Sequence, residues 1–435
     1  MLPKSPRLRR ILLAYTVNEL GTWFGYVALA LGVYDNTHSA IATAGLFVAR
    51  GLLPALLAPV LVARVERSRS GGRLTRLYLL EAALTAGLAV LLWKFWLPGV
   101  LILVTVDGIV AVAATALVRA SAARVAAEEV VGPERERAGE ARVLSATDQA
   151  RRDAAQRQAG AALNFAFMGA LAAGPALAGL LVHVIGGPAA LLVDAATFVV
   201  CATVLLSVHT YVQESGGDSI RTRLLAVVEH LRLVPALRAV LLTQAVALVF
   251  FASVEPVEVV YAKSTLNAGA LGYGLLLATW GLGAALGAVV FARAVRKPLG
   301  PMLTGGTLLV GLAYLGFAAA PTIGLACAAA VIGGIGNGIQ WPSLISAVQQ
   351  LAPGALHGRL MSAVGSLNAL CPAIGFVLGG SIAALASPRA AMAVAGGVTS
   401  LTTIAFMRLP IRGLQSSANP AEAIASEPDL VGSQH

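Results

Sequence analysis

The chain has 435 residues, 57% of them apolar and only 12% charged, with a mean hydropathy of +0.80. Soluble domains carry about 25% charged residues, so the composition excludes an ordinary soluble enzyme and describes a polytopic helical membrane protein. The net charge of +10 does not mark a nucleic-acid binder, because the basic residues fall between long apolar runs, where they face anionic lipid head groups.

The first run, ILLAYTVNELGTWFGYVALALG, follows the basic MLPKSPRLRR and imitates a secretory signal. Asn18 and Glu19 interrupt it, and it is too long for a signal core, so it reads as a retained first span. On a helix Tyr15, Asn18, Glu19, Thr22 and Tyr26 form one stripe. A central carboxylate costs roughly 2.5–3.5 kcal/mol on insertion scales. The stripe is therefore expected to face a bundle interior or a wet cavity.

Eleven further runs give twelve spans in all, at about 11–33, 39–62, 75–93, 98–120, 161–185, 188–208, 238–260, 270–291, 301–320, 322–350, 359–385 and 389–408. Span 2 carries Arg50 and span 4 Asp107, at depths that differ by only about 3 Å at 1.5 Å per residue. A buried Arg50–Asp107 pair is expected, with Glu19 as a second partner nearer the cytoplasm. A fixed pair would be structural; a carboxylate shared between Arg50 and a proton would be a switch. In span 3, Glu81 is expected to pair with Arg76 or Arg73. Between spans 4 and 5, residues of about 122–160 hold the densest charge in the chain. Asp148–Arg152 and Asp153–Arg157 are acid-before-base pairs at i,i+4, which describes a solvated surface helix or a partner-docking element. In span 6, Asp194 near an outer end reads as a packing or capping residue.

Span 7 has its own stripe, Gln244, Leu248, Phe251, Glu255 and Glu258, with Pro256 between the two acids. Proline in a span frees backbone groups that only protein or water can satisfy, while two glutamates near an outer end also fit an interfacial position. Span 10 reads GGIGNGIQW. It lacks the strand and acidic residue that give a phosphate-binding glycine loop its mechanism. A close-packing helix with Asn337, Gln340 and Trp341 toward a cavity is the better reading. The GxxxG spacings Gly283–Gly287 and Gly375–Gly379 likewise suit helix packing.

The three cysteines lie in apolar runs, and the six histidines are scattered without metal-ligand spacing. No nucleophile–base pair or nucleotide-binding motif occurs, so neither enzyme nor cofactor is expected. Lys and Arg number 27 at the ends and loops on one side and three on the other, which places both termini in the cytoplasm. VLVARVERS (60–68) is repeated as VVFARAVRK (289–297), and AAGPAL (172–177) as ALCPAI (369–374). Two parallel six-span halves follow: residues 1–209 and 238–412, a central linker at 210–237, and a tail at 413–435 of disordered composition.

These residues resemble the major facilitator superfamily, in its macrolide-efflux and siderophore-exporter branch. The likeness covers nearly the whole chain. It is carried by ARGLLPALLAPVL, GPALAGLLVHVIGGPAALLVDAATF, GYGLLLATWGLGAALGA and VQQLAPGALHGRLMSAV. It implies an all-α fold of twelve transmembrane helices in two pseudo-symmetric six-helix bundles, opening alternately to each side of a bacterial inner membrane. It implies a multidrug-type efflux antiporter that exports amphiphilic small molecules against proton entry; a monomer is expected. The chain departs from the family pattern after span 2. There Pro59 and Ala63 stand where the family has glycine and the gating Asp, ahead of a retained Arg64, and span 4 has Asp107-Gly108 in place of the family's Arg-and-Gly signature.

Proton coupling is accordingly expected at Glu19, Asp107 and Arg50. The expected cavity is lined by Asn18, Thr22, Trp23, Tyr26, Gln244, Phe251, Glu255, Trp280, Asn337, Gln340 and Trp341. A gate is expected at Arg64, Arg67, Arg293 and Arg296. The other functions these features admit are a lysophospholipid or lipid transporter, and a non-transporting membrane protein that docks a partner through the 4–5 segment.

Overall fold

The computed structural model describes residues 5–67, 73–132, 146–206, 235–294, 297–351 and 357–407. It contains twelve long α-helices and, among the described residues, no strand. They are α1 (Pro6–Thr37), α2 (Ala40–Arg67), α3 (Arg73–Trp93), α4 (Leu97–Val131), α5 (Ala146–Ile185) and α6 (Gly187–Leu205). The second set is α7 (Pro235–Val260), α8 (Gly269–Arg293), α9 (Leu299–Ala319), α10 (Ile323–Leu351), α11 (His357–Leu385) and α12 (Pro388–Met407). Helices α3 to α10 are each long and apolar enough to cross a bilayer. The protein is a multi-pass membrane protein.

Local chemistry explains where the helices begin and turn. Ser5 caps α1, accepting from the Leu8 amide at 3.3 Å, and Pro6 fills the first helical position, where its missing N–H costs nothing. Helices α5 and α6 are joined by Gly186 alone, at φ 83°, a conformation that favours glycine. Serine and threonine hydroxyls inside the spans donate to carbonyls of the preceding turn, as Thr22 does to Asn18 and Thr307 to Leu303. An apolar surrounding leaves them no better acceptor.

The twelve helices form two bundles of six. Helix α1 packs on α5 and α6, as α7 packs on α11 and α12; α2 packs on α4, as α8 packs on α10. The bundles meet through two equivalent pairs, α5 with α8 and α2 with α11. Small residues let these backbones close. A methyl on Gly179 would lie 2.8 Å from the Ala270 carbonyl, and one on Gly380 would lie 2.6 Å from the Ala44 side chain. Both contacts lie at the end of the bundle opposite the chain termini. Asp35 and Lys263 are ion-paired across the halves at the same end, 2.5 Å apart. Lys263 sits on a π-helical turn, Tyr261–Thr265, that extends α7.

The 4–5 segment differs from its sequence reading. Residues 146–160 are not a separate surface helix but the first turns of α5, which runs unbroken for 40 residues. Alanine, glutamine and arginine dominate this stretch and all favour helix, so nothing stops it before the membrane. Helix α4 similarly continues past residue 120 to Val131. The predicted linker lies almost wholly outside the described residues, and the tail lies entirely outside them.

Candidate functional site

Two cavities divide the polar side chains between them. The first, of about 200 Å³, lies inside the first bundle. Helix α1 supplies Asn18, Glu19 and Thr22, α2 supplies Arg50, α3 supplies Glu81 and Thr85, α4 supplies Asp107 and Thr115, and α6 supplies Asp194. Four carboxyl groups thus share one enclosed space with a single lining arginine.

The α1 stripe accounts for much of this. At its lower end Arg119 donates to the Tyr15 hydroxyl at 2.8 Å, and Tyr15 is hydrogen-bonded in turn to Glu19. Three turns along, the Arg50 guanidinium lies 5.5 Å from the centre of the Tyr26 ring, the same stacking distance as Arg119 over Tyr15. Arg50 is therefore not closed onto Asp107 as the matching depths predicted. Its charge acts on Asp107, yet Asp107 Oδ1 has no hydrogen-bond partner. Tyr26 offers the guanidinium a flat aromatic face and draws it toward the interface. Glu19 likewise looks to Tyr15 and Arg119 rather than to Arg50.

One member of this cavity was misread from sequence, and a second was read only in part. Glu81, only 2% exposed, lies within electrostatic reach of Asp107 and Asp194 instead of pairing with an arginine. Arg76 is exposed on the same helix, and the Arg73 side chain lies outside the described residues. Asp194 does pack, as expected, against the notch left by Gly21 and Gly25 on α1, but it also lines the cavity. A stripe test on spans 3 and 4 would have found this face. Glu81 and Thr85 are four residues apart, as are Asp107 and Ala111, and then Ala111 and Thr115.

The second cavity, of about 490 Å³, lies in the second bundle against α5, in the parts of its helices nearer the termini. Its polar lining is Gln244, Asn337, Gln340, Asn368, Thr307 and Thr399, and Phe167, Met168, Leu248, Phe251 and Trp341 cover much of the rest. None of the residues lining it is charged. Gln244, Phe251, Asn337, Gln340 and Trp341 of the predicted cavity meet here. Trp280 backs this wall, edge-on to Phe251 at 5.8 Å and stacked on Tyr314 at 5.7 Å.

Trp23, Tyr26 and Glu255 lie between the two cavities. The rings of Trp23, Tyr26, Phe47 and Phe376 make successive contacts from α1 to α11. The Tyr26 hydroxyl reaches Glu255 Oε2 across the halves at 3.5 Å. Glu255 and the buried Glu258 are thus enclosed in the interface rather than at a membrane surface. Asn18 and Thr22 belong to the first cavity. Of the predicted gate, Arg293 is exposed at the end of α8, while the side chains of Arg64, Arg67 and Arg296 lie outside the described residues.

Residues 240–429 match the Major Facilitator Superfamily family model. The described residues share the fold of solved transporters. A crystal structure of the nucleoside transporter NupG superposes with a TM-score of 0.65 at 12% identity, covering 93% of this chain and 98% of that one. A bacterial homologue of the human lysosomal transporter Spinster, in an inward-facing and occupied conformation, gives 0.65 at 12% identity, covering 94% and 98%. A POT family transporter bound to a thioalcohol-conjugated peptide gives 0.62 at 15%, covering 92% and 95%. No curated protein matches the sequence.

The close-packing reading of span 10 also agrees with this structure. A methyl on Gly336 would lie 2.5 Å from the Gly306 carbonyl, and methyls on Gly283, Gly287, Gly334 and Gly338 would meet backbone across the α8–α10 contact. Gly375 and Gly379 do the same between α11 and α7.

Proposed function

We propose that the protein is a secondary active transporter that exports a hydrophobic or amphiphilic small molecule by alternating access, in exchange for protons. The observation that carries this reading is the separation of the two cavities. Charge is concentrated in the first bundle, at Glu19, Asp107 and Arg50, while the larger cavity of the second bundle is lined by amides, hydroxyls, aromatic rings and aliphatic side chains without a charge. A cavity of that size suits a drug-sized ligand. Its lining offers no fixed charge to an ionic head group, which favours a neutral macrolide-like cargo over an anionic siderophore.

The 27-to-3 distribution of Lys and Arg supports an arrangement with both termini in the cytoplasm of a bacterial inner membrane. The sealed end would then face outward and the larger cavity would face the cytoplasm, ready to load for export. One proton moving down 100 mV supplies about 2.3 kcal/mol, enough for roughly a 50-fold gradient of a neutral substrate. One titrating carboxyl group therefore suffices.

The test is proton movement in sealed proteoliposomes carrying a pH dye, with macrolides, lipophilic cations, siderophores and lysophospholipids added in turn. Proton release with one class, lost in Glu19→Gln, is the expected result. Full uphill transport by Glu19→Gln would remove Glu19 from the coupling path. A lipid mover is the second reading. It is supported by an apolar hollow of about 640 Å³ between α2, α4 and α11, lined by Ile41, Val48, Ile102, Val106 and Val377 among others. Proton release with lysophospholipid alone would favour it.

A further inference from the structure

The two seams between the bundles are built differently. At the α5–α8 seam backbone meets backbone. Methyls on Gly274 and Gly281, nearly two helical turns apart, would run into the Pro175 and Leu171 carbonyls of α5. The α2–α11 seam has one such close approach, at Gly380 against Ala40 and Ala44. Toward the middle of the membrane a methyl on Gly51 would lie 3.8 Å from the Phe376 ring, and one on Gly45 would meet nothing within 4 Å. What this seam leaves open is the hollow of about 640 Å³ between α2, α4 and α11.

The lining selects what can fill it. Ala44, Gly45 and Ala49 make a floor of small residues, while Ile102, 63% exposed, and Val377 stand at its open side toward the lipid. No charged, amide or aromatic side chain lines it. The Thr105 hydroxyl donates to the Leu101 and Ala49 carbonyls, at 2.8 and 3.2 Å. Such a space offers water no partners and stays dry, and left empty its walls forfeit dispersion contacts. From Ile41 to Leu53 it follows α2 for about 18 Å, against about 15 Å for the hydrocarbon of one leaflet. A single hydrocarbon chain from the adjoining lipid has this length and this chemistry.

We propose that one acyl chain of a membrane phospholipid occupies this hollow as a resident of the sealed state, held by both halves at once. Helices α2 and α4 belong to the first half and α11 to the second, so the site is complete only while the α2–α11 seam is closed. A ligand that needs both halves favours the conformation that brings them together. Occupancy of the hollow stands on the fold alone, and its bias toward the sealed state rests on the alternating-access reading above. The chain is a wedge in the seam and not the cargo, which would have to pass on to the larger cavity.

The test uses the full chain in detergent, stripped of lipid and titrated with phosphatidylglycerol that carries a diazirine on one acyl chain. After irradiation, labelled peptides are mapped by mass spectrometry. Labelling of α2 around Gly45 and of α4 around Ile102 is expected to saturate and to be competed by unlabelled phosphatidylglycerol. Labelling of the exposed Leu192 and Val199 on α6 is expected to rise without saturation.

Gly45→Leu, which puts a side chain into the hollow, is expected to weaken its labelling about fivefold, the loss of some five to ten carbon contacts. Spin labels at positions 36 and 267 are expected to show fewer open molecules as lipid is added to wild type, and few at any lipid level in Gly45→Leu. Labelling of the hollow in wild type that saturates no more than that of α6 would overturn the site, whether or not the variant folds. So would undiminished labelling of folded Gly45→Leu. Label at Phe251 or Trp341 in the larger cavity would make the lipid a cargo in transit and overturn its residence. Distances that ignore the lipid would overturn the bias toward the sealed state. Silence of every compound in the dye assay would count against the exporter reading and leave the labelling result as it stands.

Discussion

Tyr26 and Glu255 occupy the same position in the two halves and are hydrogen-bonded to each other. They are 229 residues apart, the offset that also separates the repeated Ala63-Arg64 from Ala292-Arg293. The bond therefore lies at the pseudo-twofold axis, and the Tyr26 ring that makes it also carries Arg50 on its face. A change of charge in the first-bundle cavity has a direct mechanical route to the seal between the bundles.

Tyr26→Phe keeps the ring under Arg50 and removes only the hydroxyl. The lost hydrogen bond is worth about 1 kcal/mol, or about a fivefold shift in a two-state equilibrium. The sealed conformation is expected to lose population by that factor. Spin-label distances between positions 36 and 267, on the two sides of the sealed end, would report it as a growing long-distance component. An unchanged distribution would show that the bond does not bias the seal.

The Asp35–Lys263 pair holds the same end from the rim, where both side chains are partly exposed. Such pairs contribute about 0.2–1 kcal/mol and weaken in salt. Lys263→Ala is expected to shift the same distance distribution less than Tyr26→Phe does. The difference from wild type should shrink as salt rises toward 0.5 M. A salt-independent effect would mean that the π-helical turn itself, not its charge, holds the end.

Gly25→Ala places a methyl against the Asp194 carboxylate, whereas Gly45→Ala on α2 meets nothing within 4 Å. Overpacking costs typically 1–3 kcal/mol, and a displaced Asp194 would also disturb the first cavity. Gly25→Ala is expected to lower the unfolding temperature by several degrees while Gly45→Ala leaves it unchanged or slightly raised. Equal stability of the two variants would show that α6 moves to accommodate the methyl.

Gln340 is the most buried carboxamide of the larger cavity, at 6% exposure. Gln340→Leu keeps the bulk and removes both donor and acceptor. For a neutral polar ligand seated there the loss is expected to be about 1–3 kcal/mol, roughly 5- to 150-fold in Kd. A purely apolar ligand should bind as well or better. Equilibrium binding of a macrolide and of a hydrocarbon-like dye to the two proteins would separate these outcomes.

The helices were legible from sequence because hydrocarbon imposes length and hydropathy directly. The twelve spans agree with the structure to within a few residues at most ends. The α1 stripe was legible for the same reason: Asn18 and Glu19 stand out in an apolar run. Glu81 and Asp194 were not, because closeness to a span end suggests an aqueous or interfacial position. Which neighbouring helix covers that face is settled only by packing: α4 and α6 cover the helix of Glu81, and α1 covers Asp194. Glu255 was drawn into the interface by Tyr26, a partner more than two hundred residues away that no local pattern reveals.

The offset between Tyr26 and Glu255 has a consequence for the two halves as copies of one design. A twofold axis brings like onto like, so identical halves would set two phenols or two carboxylates face to face there. A phenol meeting a carboxylate at that point requires the copies to differ. The same offset pairs Glu19 with Leu248 and Arg50 with Thr279, so the first copy keeps the charges while the second presents leucine to a neutral cavity. Exchanging the axis residues, as Tyr26→Glu with Glu255→Tyr, would preserve the bond but move the carboxylate beneath Arg50. The two arrangements are mirror images on paper and opposite in electrostatics.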